Sequence, residues 1–226
     1  MTPAIFVTGT DTGVGKTRVA VALCRAFAAR GIRVAAMKPI ASGCVLTPEG
    51  LRNEDAMALL AAMSVRARYS DVNPYAFLPA IAPHIAAREA GVGIDLEVLS
   101  RAFEHLRSQS QVVIVEGAGG WLAPLDASRA FADLAVHWRT DVVLVVGLRL
   151  GCLNHALLTA ESIERRGLRL RGWVANSIDP RFDRAAENIS TLQSRISAPC
   201  VGILSFEPRG DPEALVRELA VDALMG

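Results

Sequence analysis

The sequence predicts an α/β protein with a P-loop NTPase fold, in which a mostly parallel sheet is covered by helices on both faces. Short apolar runs of strand length recur along the 226-residue chain, and helical patterns separate most of them. The runs are apolar at consecutive positions, which is typical of parallel strands buried on both faces. A glycine-rich loop ending in Gly-Lys-Thr lies between the first strand and the first helix, which is the context of a phosphate-binding loop.

The elements follow from apolar periodicity and from glycine and proline breakers. We predict a strand over 4–8, a helix over 16–30 that ends at Gly31, a strand over 32–38, a loop over 39–53 and a helix over 54–63. Further on we predict a helix over 95–109 and strands over 111–116, 141–147, 171–177 and 200–204. The stretch that contains Pro74, Pro79 and Pro83 favours no single element. Since ligands bind beyond the carboxyl ends of strands in such sheets, the loops after these strands are the first candidates for function.

Composition bounds the class of protein. Hydrophobic residues make up 51% of the chain and charged residues 21%, so we expect one globular domain over residues 1–226. A net charge of +1 gives no reason to expect a nucleic-acid or membrane partner. The first strand begins within four residues of the N-terminus, which leaves no space for a signal peptide. Because the four cysteines are scattered without a CxxC pair, we expect free thiols and a cytoplasmic location.

Lysine is scarce in this chain. Only two of the 24 basic residues are lysine, Lys16 and Lys38, and the others are arginine. Arginine can replace lysine wherever a solvated positive charge is enough, so the remaining lysines should lie where a compact ammonium is needed. Lys16 belongs to the glycine-rich loop. Lys38 ends the second strand, where it could neutralise the oxygens of a transferred phosphoryl group; a solvated charge is the alternative.

The loop after the first strand reads Gly-Thr-Asp-Thr-Gly-Val-Gly-Lys-Thr over residues 9–17, and we call it the phosphate loop. Its glycines let backbone N–H groups point at phosphate oxygens, and the helix N-terminus adds a favourable dipole. Lys16 can reach the β- and γ-phosphates, and the Thr17 hydroxyl can ligate Mg²⁺. Five residues rather than four separate Gly9 from Gly15, so the spacing departs slightly from the usual pattern.

Two carboxylates extend this set of oxygen donors. Glu116 ends an apolar strand and is followed by three glycines within residues 117–120, a pattern typical of a Walker-B-type metal ligand. Asp55 lies just inside a predicted helix, where the helix dipole alone would also favour an acidic residue. Together with Thr17, these residues would supply three hard oxygens to Mg²⁺.

Two later loops carry weaker signals. After the strand over 141–147, a helix is predicted to begin near Asn154. The free N–H groups around Gly151, Cys152, Leu153 and Asn154 would suit a carboxylate, although Asn154 could instead cap the helix. Asn176 ends another strand. Its amide could bind a purine edge, but asparagine is also common at strand ends as a turn former.

Several segments together resemble the ATP-dependent dethiobiotin synthetases. They are GTDTGVGKT, KPIASG, TPEGLRNEDA, NPYAF, PHIAA, VEGAGGWLAPL, LGCLNHALLT and GWVANS, in this order and spacing. The resemblance runs from about residue 5 to residue 178 and is weak beyond that point. KPIASG and EGAGGW, combined with the phosphate loop, are far more specific to the family than the loop alone.

The resemblance implies a reaction and a set of residue roles. In this family 7,8-diaminopelargonic acid takes up CO₂ as a carbamate, ATP phosphorylates the carbamate, and the second amine closes the ureido ring with release of phosphate. The implied catalytic residues are Lys38, Lys16 and Thr12. The implied nucleotide-binding residues are Gly13, Val14, Gly15, Lys16, Thr17, Arg18, Asp55, Glu116, Gly117, Ala118, Gly119, Asn176 and Ser177, with Thr17, Asp55 and Glu116 on Mg²⁺. The implied substrate-binding residues are Ser42, Gly151, Cys152, Leu153 and Asn154, the last four from the partner subunit of a homodimer.

Two other functions remain open on the sequence alone. The first is another cofactor-biosynthesis ligase of the same superfamily, although amide formation would call for a glutaminase domain and no Cys/His pair is apparent. The second is a partition- or targeting-type ATPase that acts as a switch. Such ATPases usually carry a further lysine early in the phosphate loop, and residues 9–15 contain none.

Overall fold

The computed structural model describes residues 3–206 and 212–224, in which strands and helices alternate along most of the chain. The first half contains β1 (Ala4–Gly9), α1 (Lys16–Ala29), β2 (Val34–Met37), β3 (Ile40–Ala41), β4 (Val45–Thr47), β5 (Gly50–Arg52), α2 (Glu54–Ala62), α3 (Tyr69–Val72), β6 (Tyr75–Ala76), α4 (Pro83–Glu89), α5 (Leu96–Gln109) and β7 (Val112–Glu116). The second half contains α6 (Phe131–His137), β8 (Asp141–Leu148), α7 (Cys152–Arg165), β9 (Leu170–Ser177), α8 (Ala185–Arg195), β10 (Cys200–Leu204), α9 (Pro212–Glu218) and a 3₁₀ helix (Val221–Leu224).

A six-stranded sheet forms the centre of the fold. Its strand order is β10-β9-β8-β1-β7-β2, and every neighbouring pair is parallel. The parallel sheet predicted from the continuous apolar runs is therefore confirmed, and its strands differ from the predicted ones mainly at their ends. None of the helices in the described ranges has the length and apolarity needed to cross a bilayer.

Alternate side chains of the sheet enter two separate cores, one on each face. In β1, Phe6 belongs to one core while Ile5 and Val7 belong to the other. The Phe6 face packs against α5, α6, α7 and α8, and the opposite face packs against α1, α2, α9 and the 3₁₀ helix. Because both faces of each central strand are covered, nearly every position must be apolar, which explains the uninterrupted runs in the sequence.

The prediction of a loop over 39–53 is wrong in part. Ile40–Ala41 forms β3, which pairs in parallel with β6 in the proline-containing stretch that no pattern assigned. β4 and β5 form a short antiparallel hairpin, and Gly50 supplies the positive φ of 104° at its turn. Gly50 is one of the breakers that predict this loop, and it lies next to the hairpin turn. Pairing between two-residue strands more than 30 positions apart leaves no local periodicity, so the sequence does not predict β3 and β6.

The strand order places three chain segments side by side at one edge of the sheet. β1 lies between β7 and β8, and β7 lies between β1 and β2. The segments that follow β1, β2 and β7 are therefore neighbours. The segment after β2 is held in place by its backbone, since the N–H of Lys38 donates to the carbonyl of Val72 at 2.8 Å and the amide of Asn73 donates to the carbonyl of Lys38 at 2.7 Å.

Several helices end in the same hydrogen-bonded turn, and one of them uses an unusual residue. After α1, α4 and α7, a glycine with positive φ (Gly31, Gly91 or Gly167) donates to the carbonyl three residues before it, and the next residue donates to the carbonyl five residues before itself. The same two bonds follow α6, but there Arg139 adopts the positive φ, at 51°. A side chain at such a φ crowds the backbone, so Arg139 is strained relative to glycine.

We predict that Arg139→Gly stabilises the protein by about 0.5–1 kcal/mol, because it removes this strain and keeps both hydrogen bonds. Urea unfolding at equilibrium should show a higher midpoint with an unchanged m-value. Gly167→Ala is the matched control: an added Cβ there meets no atom within 4 Å, so it should lose a similar amount through backbone strain alone. A lower midpoint for Arg139→Gly would contradict the prediction.

Candidate active site

The phosphate loop is held in shape by close contacts that only glycine permits. Gly15 precedes α1 with a φ of 92°, and a Cβ there would lie 2.2 Å from the amide nitrogen of Asn176. The buried ammonium of Lys16 donates to the carbonyl oxygen of Asp11 at 2.8 Å. The lysine is thereby held over the loop, at the position from which it can reach the phosphates of a nucleotide.

A buried ion-pair cluster lies beside the phosphate loop. Nζ of Lys38 donates to Oε1 of Glu116 at 2.6 Å and to Oδ2 of Asp55 at 2.9 Å. The hydroxyl of Thr17 donates to the same Oε1 at 2.8 Å. Glu116 is 1% exposed and Lys38 is 5% exposed. The neighbouring ends of β2 and β7 thus bring Lys38 and Glu116 into direct contact, while α1 contributes Thr17 and α2 contributes Asp55.

The charges in the cluster shift one another. Burial alone would lower the pKa of Lys38, but Glu116 and Asp55 together outweigh it and hold that pKa above its ordinary value. Burial raises the pKa of Glu116, and the negative charge of Asp55 adds to this effect, while Lys38 opposes it. Burial also lowers the pKa of Lys16 to about 8, and repulsion from Lys38 contributes. The cluster therefore keeps Lys38 protonated as an ammonium. Too little negative charge lies near Lys16 to offset the effect of burial on its pKa.

A cavity of about 800 Å³ opens beside the cluster. Most of the predicted site residues line it: Thr12, Gly13, Gly15, Lys16, Thr17, Arg18, Lys38, Ser42, Asp55, Glu116, Ala118 and Gly119. Gly117 lies behind this wall, where its N–H donates to the carbonyl of Val7 at 3.0 Å and a Cβ would lie 3.0 Å from the Phe6 ring. The cavity thus unites residues from segments more than 100 positions apart.

Asn176 contacts the phosphate loop rather than forming a turn. Its amide nitrogen donates to the carbonyl of Val14 at 2.7 Å, and the residue is 1% exposed. Its Oδ1 is buried and has no hydrogen-bond partner in the described part of the chain, and Asn176 does not line the cavity. Buried polar atoms are normally bonded, so this oxygen is an acceptor whose hydrogen bond is not made within the described residues. Ser177 follows as the last residue of β9 and is half-buried.

The start of α7 differs from the prediction. The helix begins at Cys152 rather than near Asn154, and Gly151 precedes it with a φ of 92°. Asn154 therefore lies inside the first turn and does not cap the helix. The N–H of Cys152 is not free, because it donates to the carbonyl of Arg149 at 3.0 Å. Among the described hydrogen bonds, none uses the N–H of Leu153 or of Asn154. None of the four residues lines the cavity of its own chain.

Sequence reasoning missed parts of this cavity. Asn53 lines it and caps α2, since its Oδ1 accepts from the N–H of Ala56 at 3.1 Å. Residues 80–83, which lead into α4, line another side. Both features have sequence signals, namely an asparagine directly before an acidic pair and a proline at the first helical position. Neither signal indicates where the helix start lies relative to the phosphate loop.

Comparisons with known proteins agree with this geometry. A family model described as an AAA domain matches residues 3–214. The ATP-dependent dethiobiotin synthetase of Xanthomonas campestris pv. campestris is 51% identical over 217 residues, which cover 96% of this chain and 97% of that protein. The chain belongs to the ATP-dependent dethiobiotin synthetases. The Pseudomonas aeruginosa synthetase is also 51% identical, over 218 residues and 96% of each chain.

Solved structures support the fold of the synthetase. The MinD cell division protein of Aquifex aeolicus aligns with a TM-score of 0.57 and 17% identity, covering 97% of this chain and 88% of MinD. A ParA family ATPase from Chlorobium tepidum aligns with a TM-score of 0.57 and 15% identity, covering 100% of this chain and 93% of that one. At such low identity these similarities establish a shared P-loop architecture. They carry no function over to the synthetase.

The lowered pKa of Lys16 predicts that nucleotide binding takes up a proton. With a pKa of about 8, the Lys16 amine of the free synthetase should be partly deprotonated at pH 8.5, and phosphate oxygens would restore the charged form, so a fraction of a proton should be bound. Calorimetry of ADP binding in EDTA, in two buffers of different ionisation enthalpy, measures this uptake. Lys16→Arg should bind with no uptake, because guanidinium stays charged. Equal uptake by the two proteins would contradict the prediction.

Proposed function

We propose that the enzyme converts 7,8-diaminopelargonic acid, CO₂ and ATP into dethiobiotin, ADP and phosphate within one domain over residues 1–226. One amine of the substrate adds to CO₂ as a carbamate and loses a proton. The γ-phosphoryl group of ATP passes to a carbamate oxygen, giving a carbamic–phosphoric anhydride. The second amine then attacks the anhydride carbon, the bond to the phosphate oxygen breaks, and the ureido ring closes.

One observation carries this proposal: the ammonium groups of two lysines lie in the same cavity. Carbamate oxygen is a weak nucleophile and ring closure needs a good leaving group, so catalysis is mainly positioning and charge stabilisation. The cavity provides two ammonium groups, Lys16 beside the phosphate loop and Lys38 beside Glu116. Lys16 would stabilise the transferring phosphoryl group, and Lys38 would neutralise the carbamate oxygens that receive it.

Nucleotide binding is assigned to the phosphate loop and the end of β9. The backbone of residues 13–18 would surround the phosphates, because Gly15 precedes α1 without a side-chain cap and the N–H groups of the first helical turn are suited to an anion. The buried, unpartnered Oδ1 of Asn176 would accept a hydrogen bond from the amino group of adenine, with Ser177 adjacent. Residues 117–119 would approach the nucleotide from the side of β7.

Thr17, Asp55 and Glu116 fit a magnesium ion. Oε2 of Glu116 is buried without a hydrogen-bond partner in the described residues, and Asp55 lies at the cavity wall. Although no cluster of three or more His, Cys, Asp and Glu is present in the described ranges, Mg²⁺ takes few protein oxygens and completes its shell with phosphates and water. When bound, the ion would neutralise phosphate charge. Thr17 and Glu116 would hold it at the start of α1.

The far end of the substrate is assigned to a second subunit. Thr12 and Ser42 line the cavity and would contact the diamine or its carbamate. The substrate carboxylate would bind the N–H groups of Leu153 and Asn154 at the start of α7 of the partner. Residues 151–154 do not line the cavity of their own chain, and the adjacent Leu150 is 93% exposed, which supports a homodimer. Four free cysteines support a cytoplasmic location.

The reaction is tested by incubating the purified protein with ATP, Mg²⁺, labelled CO₂ and the diamine. We expect the label in a cyclic urea and one phosphate released per ring closed. ATP hydrolysis should require both bicarbonate and the diamine. If hydrolysis were instead stimulated by DNA or by lipid vesicles, a switch ATPase would be indicated and the proposal would fail.

We predict that Lys38→Arg lowers kcat about a hundredfold, a loss of roughly 3 kcal/mol of transition-state stabilisation. The charge is kept, but a planar guanidinium cannot occupy the buried space in which Nζ contacts both Glu116 and Asp55. The labelled-CO₂ assay measures the loss. Arg184→Lys is the control, since it exchanges the same groups at an exposed pair with Glu187 and should leave kcat unchanged. Normal turnover by Lys38→Arg would refute the role of Lys38.

A further inference from the structure

The carboxylate of Asp11 organises the phosphate loop without facing the cavity. Its Oδ1 accepts from the N–H of Thr12 at 2.7 Å, while its backbone carbonyl accepts from the ammonium of Lys16 at 2.8 Å. Asp11 therefore fixes both a loop amide and the lysine that reaches the phosphates. A rotation of its peptide would move the Lys16 acceptor at the same time.

Arg149 holds this carboxylate from outside the loop. Its guanidinium donates to Oδ2 of Asp11 across 138 positions of sequence. The carbonyl of Arg149 accepts from the N–H of Cys152, which begins α7. One residue thus connects the phosphate loop to the segment that links β8 to α7.

The ion pair is poorly suited to a purely stabilising role. Its two side chains are 43% and 46% exposed, and pairs this accessible contribute little to the free energy of unfolding. The geometry of the ion pair matters more, because a small displacement of a catalytic cation lowers the reaction rate strongly while it changes the free energy of unfolding little. The hydrogen bond from Thr12 and the charge of Arg149 also hold the pKa of Asp11 below its usual value, so the pair stays ionised at neutral pH.

We propose that Arg149 is a positioning residue for the dethiobiotin synthetase reaction, acting through Asp11 to hold Lys16 over the phosphates. This inference rests on the proposed function, in which Lys16 stabilises the transferring phosphoryl group. Within the described ranges, Arg149 does not line the cavity and lies instead beside Asp179 and Arg181. Its guanidinium forms its ion pair with Asp11, and a lysine ammonium at this position would supply the same charge.

The test compares Arg149→Ala, Arg149→Lys, Asp11→Asn and the double variant Asp11→Asn/Arg149→Ala in the labelled-CO₂ assay. We expect Arg149→Ala to lower kcat about tenfold and to change the diamine KM less than twofold, because the displaced group acts on phosphoryl transfer. Arg149→Lys should recover most of kcat. Asp11→Asn keeps the acceptor for Thr12 and should resemble Arg149→Ala, and the double variant should lose no more than either single variant.

Arg165→Ala is the matched control, because it removes an exposed arginine ion pair with Glu161 from the other end of α7. It should leave kcat unchanged, and the Tm of all variants should stay close to that of the wild type. The proposal is overturned if Arg149→Ala keeps kcat within twofold, if the losses of the single variants multiply, or if kcat falls together with Tm and lysine does not restore it. An inactive wild type would overturn the proposed function as well, so the two failures are distinguishable.

Discussion

The site depends on one buried ion pair between Lys38 and Glu116. An unpaired carboxylate that is 1% exposed would cost several kcal/mol of desolvation, and a strand end that carries one needs a cation within contact distance. Lys38 supplies it at 2.6 Å because β2 and β7 are neighbours in the sheet. Asp55 adds a second carboxylate, with Oδ2 at 2.9 Å from Nζ of Lys38. The same strand pairing that builds the core thus fixes the charges of the cavity.

Among the residues that the structure describes, two buried oxygens remain without partners after this pairing, Oε2 of Glu116 and Oδ1 of Asn176. Each lies at a strand end beside the phosphate loop, and each leaves a desolvation cost of about 1–3 kcal/mol in the free protein. Lys16 is in a similar state, since burial lowers its pKa and its hydrogen-bond acceptor is a neutral carbonyl. A metal ion would bind Oε2 of Glu116, the amino group of a purine would donate to Oδ1 of Asn176, and phosphate oxygens would accept from Lys16. These unsatisfied polar groups support the proposal that the site binds Mg²⁺ together with a nucleotide.

The scarcity of lysine has a geometric explanation at both positions. Nζ of Lys38 lies between two carboxylates, and Nζ of Lys16 lies over a backbone carbonyl. The ammonium of lysine is compact and can direct its N–H donors freely, so it suits these surroundings, whereas the planar guanidinium of arginine does not. Arginine serves in exposed pairs, such as those of Arg149 with Asp11 and Arg184 with Glu187. It also serves in the less exposed pair of Arg171 with Asp141, so the scarcity of lysine was informative because both lysines lie in the site, and burial alone does not separate the two kinds of cation.

The sequence by itself determined the parallel sheet, the phosphate loop and the residues that end β2 and β7, because each is encoded by a local pattern of apolar runs, glycines or a single charged residue. Tertiary structure decided what these residues contact. The pairing of β3 with β6 and the entry of residues 80–83 into the cavity join segments with no local signal. The ion pair of Asp11 with Arg149 depends on strand order, because β1 and β8 are neighbours in the sheet. The order of the strands is decided when the sheet packs and is not encoded by a local pattern. The contacts between the ends of neighbouring strands depend on that order.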